Sequence, residues 1–226
     1  MNANVPLTRC WPGRGGAVPN VGGMKRQSLI LVLLLAGCSS SSHPAAVPSP
    51  TPPPIASPTP TSGQAAVLPE SNPPGDIPDN VAFVPYSNSA GRYGFTHPEG
   101  WAETTSGSTV RFTDKLNGVQ ALTGPDTTAP SVATAQGKDV PALRGSQAAF
   151  ELRGITAVTL PAGLGVRIVY RRNSAPDAVT GRQYRDEVER YELVSGGREV
   201  VVELFGPVGS DNVDAYRTMI SSLRLR

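Results

Sequence analysis

Two cysteines and two histidines are all the chain offers to thiol or imidazole chemistry, and their positions decide what that chemistry is. Cys38 closes Leu35-Ala36-Gly37-Cys38, after the apolar run Leu29–Ala36 and the basic pair Lys25-Arg26, and ahead of Ser39–Ser42. Small residues before a cysteine leave room in a peptidase cleft, and the thiol then lies at the membrane surface, where a diacylglyceryl group can be attached. The apolar run is far shorter than the ~20 residues a bilayer span needs, so it reads as an export signal. Cys38 is therefore the expected lipidation site and the first residue of the mature protein, with residues 24–37 as its signal peptide. Cys10 leaves with the leader, so the exported part is expected to hold no disulfide, which is permissible for a domain of this size.

The other candidates are weaker chemistry. His43 falls in a proline-rich stretch and His97 in the folded part, so neither a two-histidine metal site nor a Ser-His-Asp arrangement can be built without asking everything of His97. Its alternation with Tyr93 and Phe95 assigns His97 a structural role, and Trp101 likewise reads as a core aromatic. Asp211 and Asp214 lack the glycine-punctuated oxygen loop of a calcium site, and helix capping accounts for them. Asp186, Glu187, Glu189 and Glu192 could supply the two carboxylates of a small hydrolase, but they alternate with Arg185 and Arg190 and fit a solvated face of cross-strand ion pairs better. Arg167, Arg171, Arg172, Arg182 and Arg185 form a basic run suited to an anionic ligand or a lipid headgroup. Gly163-x-Gly165 lacks the third glycine and the following helix of a phosphate loop. No catalytic residue, cofactor or metal set is assigned.

Composition divides the chain. Twelve of the 23 prolines lie between Ser39 and Pro78, where no aromatic residue occurs, so residues 38–81 read as a disordered tether that cannot bury enough apolar surface to offset its ordering entropy. Polyproline II runs such as Pro52-Pro53-Pro54 rise ~3.1 Å per residue, which gives the tether a reach on the order of 120 Å. Residues 1–23 show no periodicity, and Met24-Lys25-Arg26 is the more natural start. What remains, residues 82–226, is long enough for one core. The formal charge is +2, but Arg9, Arg14, Lys25 and Arg26 precede Cys38 and no acid does. Sixteen of the 20 basic residues then face all 18 acidic ones in the mature chain, and nucleic acid is a poor partner for such a balance.

Strand periodicity dominates residues 82–226. Tyr93–His97 alternates, Ser108–Asp114 repeats the pattern, and Asn117-Gly118 reads as a hairpin turn before Val119–Leu122. Gly124–Gly137 reads as a loop and Val140–Leu152 as a helix interrupted by Gly145. Ile155–Leu160 and Val166–Tyr170 form a second hairpin, and Gly196-Gly197 turns a third between Arg185–Leu193 and Arg198–Phe205. The end is a helix over Asp211–Leu225, capped by Ser210 or Asp211, with Val213, Tyr216, Ile220 and Leu223 as its apolar stripe. Four to eight antiparallel strands and a closing helix predict an α+β domain, a central antiparallel sheet with helices packed on its faces.

Three segments in order carry a family resemblance: Tyr93-Gly94-Phe95 with Pro98-x-Gly100-Trp101; Val110-x-Phe112-Thr113-Asp114; and the terminal helix ending in Ser-Leu-Arg-Leu. Together they resemble the PsbP-like, Mog-type domain, and in particular exported actinobacterial lipoproteins of the LpqN type, over residues 91–226. The resemblance implies a protein that acts by binding, as adaptor or attachment module, and it carries over no catalytic residue. The expectation is a lipid-anchored module on the extracytoplasmic face of the cell membrane, bound to an envelope protein or an amphiphilic small ligand. The alternative is a small envelope hydrolase using Asp186–Glu192.

Overall fold

The computed structural model describes residues 63–71 and 75–226, so Cys38, the signal segment, His43 and most of the expected tether lie outside the described residues. Ten strands and two helical regions follow in the order β1 (Phe83–Asn88), β2 (Tyr93–Pro98), β3 (Ala102–Ser106), β4 (Thr109–Asp114), β5 (Asn117–Gly124), α1 (Val132–Thr134), a π-helical stretch (Ala135–Asp139), α2 (Val140–Ser146), β6 (Glu151–Leu160), β7 (Gly163–Asn173), β8 (Arg185–Ser195), β9 (Arg198–Pro207), α3 (Val213–Ser221) and β10 (Arg224–Leu225). Seven of the strands form one antiparallel sheet in the order β3-β4-β5-β9-β8-β7-β6, and β1-β2-β10 form a second. The α+β class is as expected; the second sheet is not. It arises because Phe83–Asn88 pairs along all of β2, with Phe83 opposite Pro98 and Asn88 opposite Tyr93.

The large sheet has two unlike faces. On one, Val110, Phe112, Val119, Ala121, Tyr191, Leu193, Val200, Val202 and Leu204 pack with Tyr93, Phe95 and Trp101, and with Tyr216, Met219, Ile220 and Leu223 of the C-terminal segment. Burying one such side chain is worth ~1.5–3 kcal/mol, so this layer supplies most of the hydrophobic stabilisation. On the other face Val166, Ile168, Tyr170, Val188 and Phe205 meet Ala135, Val140 and Leu143 of the short helical region, with Phe150, Leu152 and Ile155 at the edge. The rest of that face is charged.

Local differences from the sequence reading have identifiable causes. The 115–118 turn is made by Lys115-Leu116, with Asp114 opposite Asn117 and Lys115 at φ 50°. Gly118 is inside β5, where the Phe205 ring occupies the space a Cβ would need. The helix expected over Val140–Leu152 starts earlier, at Val132, and stops at Ser146, because Glu151–Arg171 pairing draws Glu151 and Leu152 into β6. The terminal helix is shorter, Val213–Ser221. Asn212 stands at its N-cap position without a side-chain cap bond, since its amide instead accepts from Ile77 N (2.8 Å) and donates to Asn117 Oδ1 (2.9 Å). Val213 is 60 % exposed and Met219 takes its place in the stripe. The packed unit also reaches ahead of Ala82: Ile77 is in the core, and Asn173 bonds both Val67 N and Ala65 O.

Candidate functional site

Five residues were expected to form a basic patch, and the structure divides them. Strand alternation puts Arg167 and Arg171 on the same side of β7, where Glu189 takes Arg167 in a two-pronged pair (2.6 and 3.1 Å) and Glu187 takes Arg171 (2.9 Å). Arg185 is buried and structural: its guanidinium donates to Ala149 O (2.7 Å) and Glu151 Oε2 (2.9 Å), fixing the turn into β6. Arg172 and Arg182 alone enter a shared site, a cleft of about 320 Å³ on the charged face. Two cations that the sequence reading left out, Arg111 and Lys115, complete it.

The cleft is built on an aromatic floor. Phe205 lies over Gly118 because that position alone in β5 opposite it has no side chain. Onto the ring come the Arg111 guanidinium from β4, 4.6 Å from its centroid, and that of Arg172 from β7, at 5.3 Å. Cation–π attraction holds each in place, yet two like charges are brought together. Burial and the neighbouring Arg172 both lower the Arg111 pKa from its ordinary value. Arg111 makes one side-chain hydrogen bond, to Gln120 Oε1 at 3.3 Å, and no ion pair among the described residues. Arg172 donates to Gln147 Oε1 (2.9 Å) and stands 3.7 Å from Asp186 and 3.9 Å from Glu203. Thr113, Asn117, Ser174 and Tyr184 line the walls, and Arg182 at the rim is paired with Glu70.

A chain of alternating charges runs from the cleft across the sheet. Glu203 accepts from Arg190 (2.8 Å) and Tyr170 (3.2 Å), and Arg190 also holds Glu192 (2.6 Å). Burial opposes the Glu203 charge, but Arg172 and Arg190 prevail and hold its carboxyl below the usual range. Asp186, 4 % exposed, has the opposite fate: burial pushes it up to about 7, and the long approach of Arg172 compensates only in part. Glu192, 1 % exposed, is also pushed up to about 7 by burial against the pull of Arg190.

These positions correct the solvated reading of the acidic cluster. Asp186 and Glu192 are buried on the cleft face, whereas Glu187 and Glu189 alternate to the other face with Arg171 and Arg167. Glu192 lies six steps along the strand from Asp186, roughly 20 Å at ~3.3 Å per residue, well beyond the ~5–9.5 Å between the carboxyl groups of a glycosidase. His97 stacks on Phe112 at 3.7 Å between ring centroids and pairs through Nδ1 with Pro98 O (2.9 Å); burial lowers its pKa. The signal that could have found the cleft is Gly118 itself, a glycine inside a strand that faces a large aromatic.

No family model and no curated protein sequence matches the chain. Among solved structures it is similar to the Ran-binding protein Mog1p of Saccharomyces cerevisiae, at 9% identity over 65% of this chain and 96% of that chain with a TM-score of 0.43. It is also similar to cyanobacterial PsbP from Synechocystis, at 15% identity over 67% and 98% with a TM-score of 0.45. A third is LpqN of Mycobacterium tuberculosis, involved in cell envelope biogenesis, at 16% identity over 67% and 82% with a TM-score of 0.33. The fold class rests on the strands and helices above, and the likenesses add no functional argument.

Proposed function

We propose that this chain is a cell-envelope lipoprotein, anchored through acylated Cys38 on the extracytoplasmic face of the membrane, and that its folded domain is a binding module. The cleft over Phe205 is its ligand-contacting site, and an anionic group on an envelope protein or an amphiphile is what it takes. One observation carries the reading: Arg111 and Arg172 converge on a single ring, and Arg111 has no carboxylate partner among the described residues. Converging like charges cost free energy, and an incoming anion relieves it. The lipobox pattern at Leu35–Cys38 supports the anchor, and no helix among the described residues is long and apolar enough to cross a membrane. Two acyl chains on one cysteine anchor stably where one does not.

Two measurements test the reading. Cys38→Ser is expected to release the protein from the membrane fraction; a variant still processed and membrane-bound overturns the anchor. Pull-down of crosslinked partners by the full chain is expected to drop several-fold in Arg111→Met. Undiminished recovery overturns the cleft as the binding site.

A further inference from the structure

We infer that the cleft recognises a phosphomonoester, with Arg111 and Arg172 as the phosphoryl-binding pair and Asp186 as the built-in competitor for them. The inference deepens the anion-binding reading above and depends on it.

The donor set selects the anion class. A carboxylate has one charge and two oxygens, which a single two-pronged arginine satisfies, as Glu189 does on Arg167 elsewhere in this molecule. The cleft offers more than that. Two guanidinium groups share one ring, Lys115 stands at the wall, and Thr113 supplies a neutral hydroxyl donor. A phosphomonoester presents three terminal oxygens and ~1.5–2 negative charges, enough to engage both forks and a neutral donor at once. At about 320 Å³ the cleft has room beyond the phosphoryl group for an organic remainder of small-metabolite size, with Leu116, Ala175 and Tyr184 along the wall.

Asp186 sets when the pair is free. It lies in the same cleft, and the charged groups around it come from every neighbouring element: Arg172 from β7, Arg111 from β4, Arg185 from its own strand, Glu203 from β9 behind Arg172, and Lys115, Asp177 and Arg182 around the rim. When ionised it draws on the same two arginines an incoming anion needs. When protonated it stops competing and offers a hydroxyl to a phosphoryl oxygen. Burial places that change near neutral pH. A phosphomonoester itself loses its second charge below about pH 6, so affinity is expected to peak between about 6 and 7.

The test is calorimetric titration of the full mature chain in detergent micelles with glycerol 3-phosphate and, separately, with dioctanoyl phosphatidic acid; acetate and dioctanoylglycerol are the controls. At pH 6.5 at least one phosphomonoester is expected to bind on the order of tenfold or more tightly than acetate, and Arg111→Met to abolish that preference. Preference for the free ester assigns a soluble ligand, and preference for the lipid assigns a headgroup; either supports the class. Asp186→Asn is expected to raise affinity severalfold at pH 8 and leave little difference between pH 7 and 8. Acetate binding as tightly as both esters overturns the phosphomonoester inference while the anion-binding cleft stands. No binding of any anion overturns both. An unchanged pH profile in Asp186→Asn, in a variant that melts like the parent, overturns the role of Asp186.

Discussion

The two faces of the seven-stranded sheet solve the burial problem in opposite ways. One is covered by a second sheet and α3, and its buried core from Val110 to Leu204 is apolar or aromatic, with the half-exposed pairs Arg167–Glu189 and Arg171–Glu187 outside that core. The other is covered in part by a short helical region with a π-helical stretch, and it keeps Arg190, Glu192, Glu203, Arg172 and Asp186 at inward positions. The apolar face gains from every side chain it buries. The charged face has its ions largely desolvated, and a buried ion pair is weak grounds for stability because desolvation offsets the attraction. A cost retained beside a cleft with an uncommitted arginine fits a site built for an anion rather than for stability.

Removing a packed aromatic from the first face should have the largest effect. Phe112→Ala is expected to destabilise by ~3–5 kcal/mol, because Phe112 touches Tyr86, Phe95 and His97, and Ile220→Ala by ~2–5 kcal/mol. Chemical denaturation measures both; small effects would mean that the second sheet and α3 are peripheral. On the charged face, Arg190→Met strands Glu192 and leaves Glu203 with only Tyr170 and the longer approach of Arg172. About 3 kcal/mol is expected at pH 8, and less at pH 6, where the released carboxylates take up protons. A pH-independent loss would show that the chain of charges is not what holds that face.

Gly118→Ala should cost about 1–3 kcal/mol through overpacking against Phe205, and it should weaken anion binding by displacing the ring that seats Arg111. Asp186→Asn should act in the other direction. The Asp186 carboxyl titrates at about 7 in the fold and near 3.8 in the unfolded chain, so the stability it adds is complete below 3.8 and is lost as pH rises through 7. The asparagine variant should therefore be on the order of 1–2 kcal/mol more stable than the parent at pH 8, an advantage that shrinks as pH falls towards 5, as thermal melts at pH 8 and pH 5 would read. Arg217→Ala should change stability by roughly 0.5 kcal/mol or less, since Arg217 reaches only Asp214 and both are exposed.

The sequence by itself determined what depends on period and local chemistry. Alternation in Tyr93–His97, Val166–Tyr170 and Arg198–Phe205 specified strands, Gly196-Gly197 specified its turn, and the apolar spacing of Tyr216 and Ile220 specified a helix that packs on a sheet. Tertiary structure decided what depends on partners distant in the chain. Phe83–Asn88 has Pro85 and no clean alternation of its own, and it becomes a strand through pairing with β2. Asn212 gives up its capping role because Ile77 and Asn117 arrive from 135 and 95 residues away. The cleft is the extreme case: Arg111, Arg172 and Phe205 meet because β4 and β7 each lie two strands from β9, and Gly118 leaves room for the ring. A basic run along the chain could name Arg172, but which arginines face one another is set by strand order and by the two-residue period of the pleat, and that order is a property of the folded sheet alone.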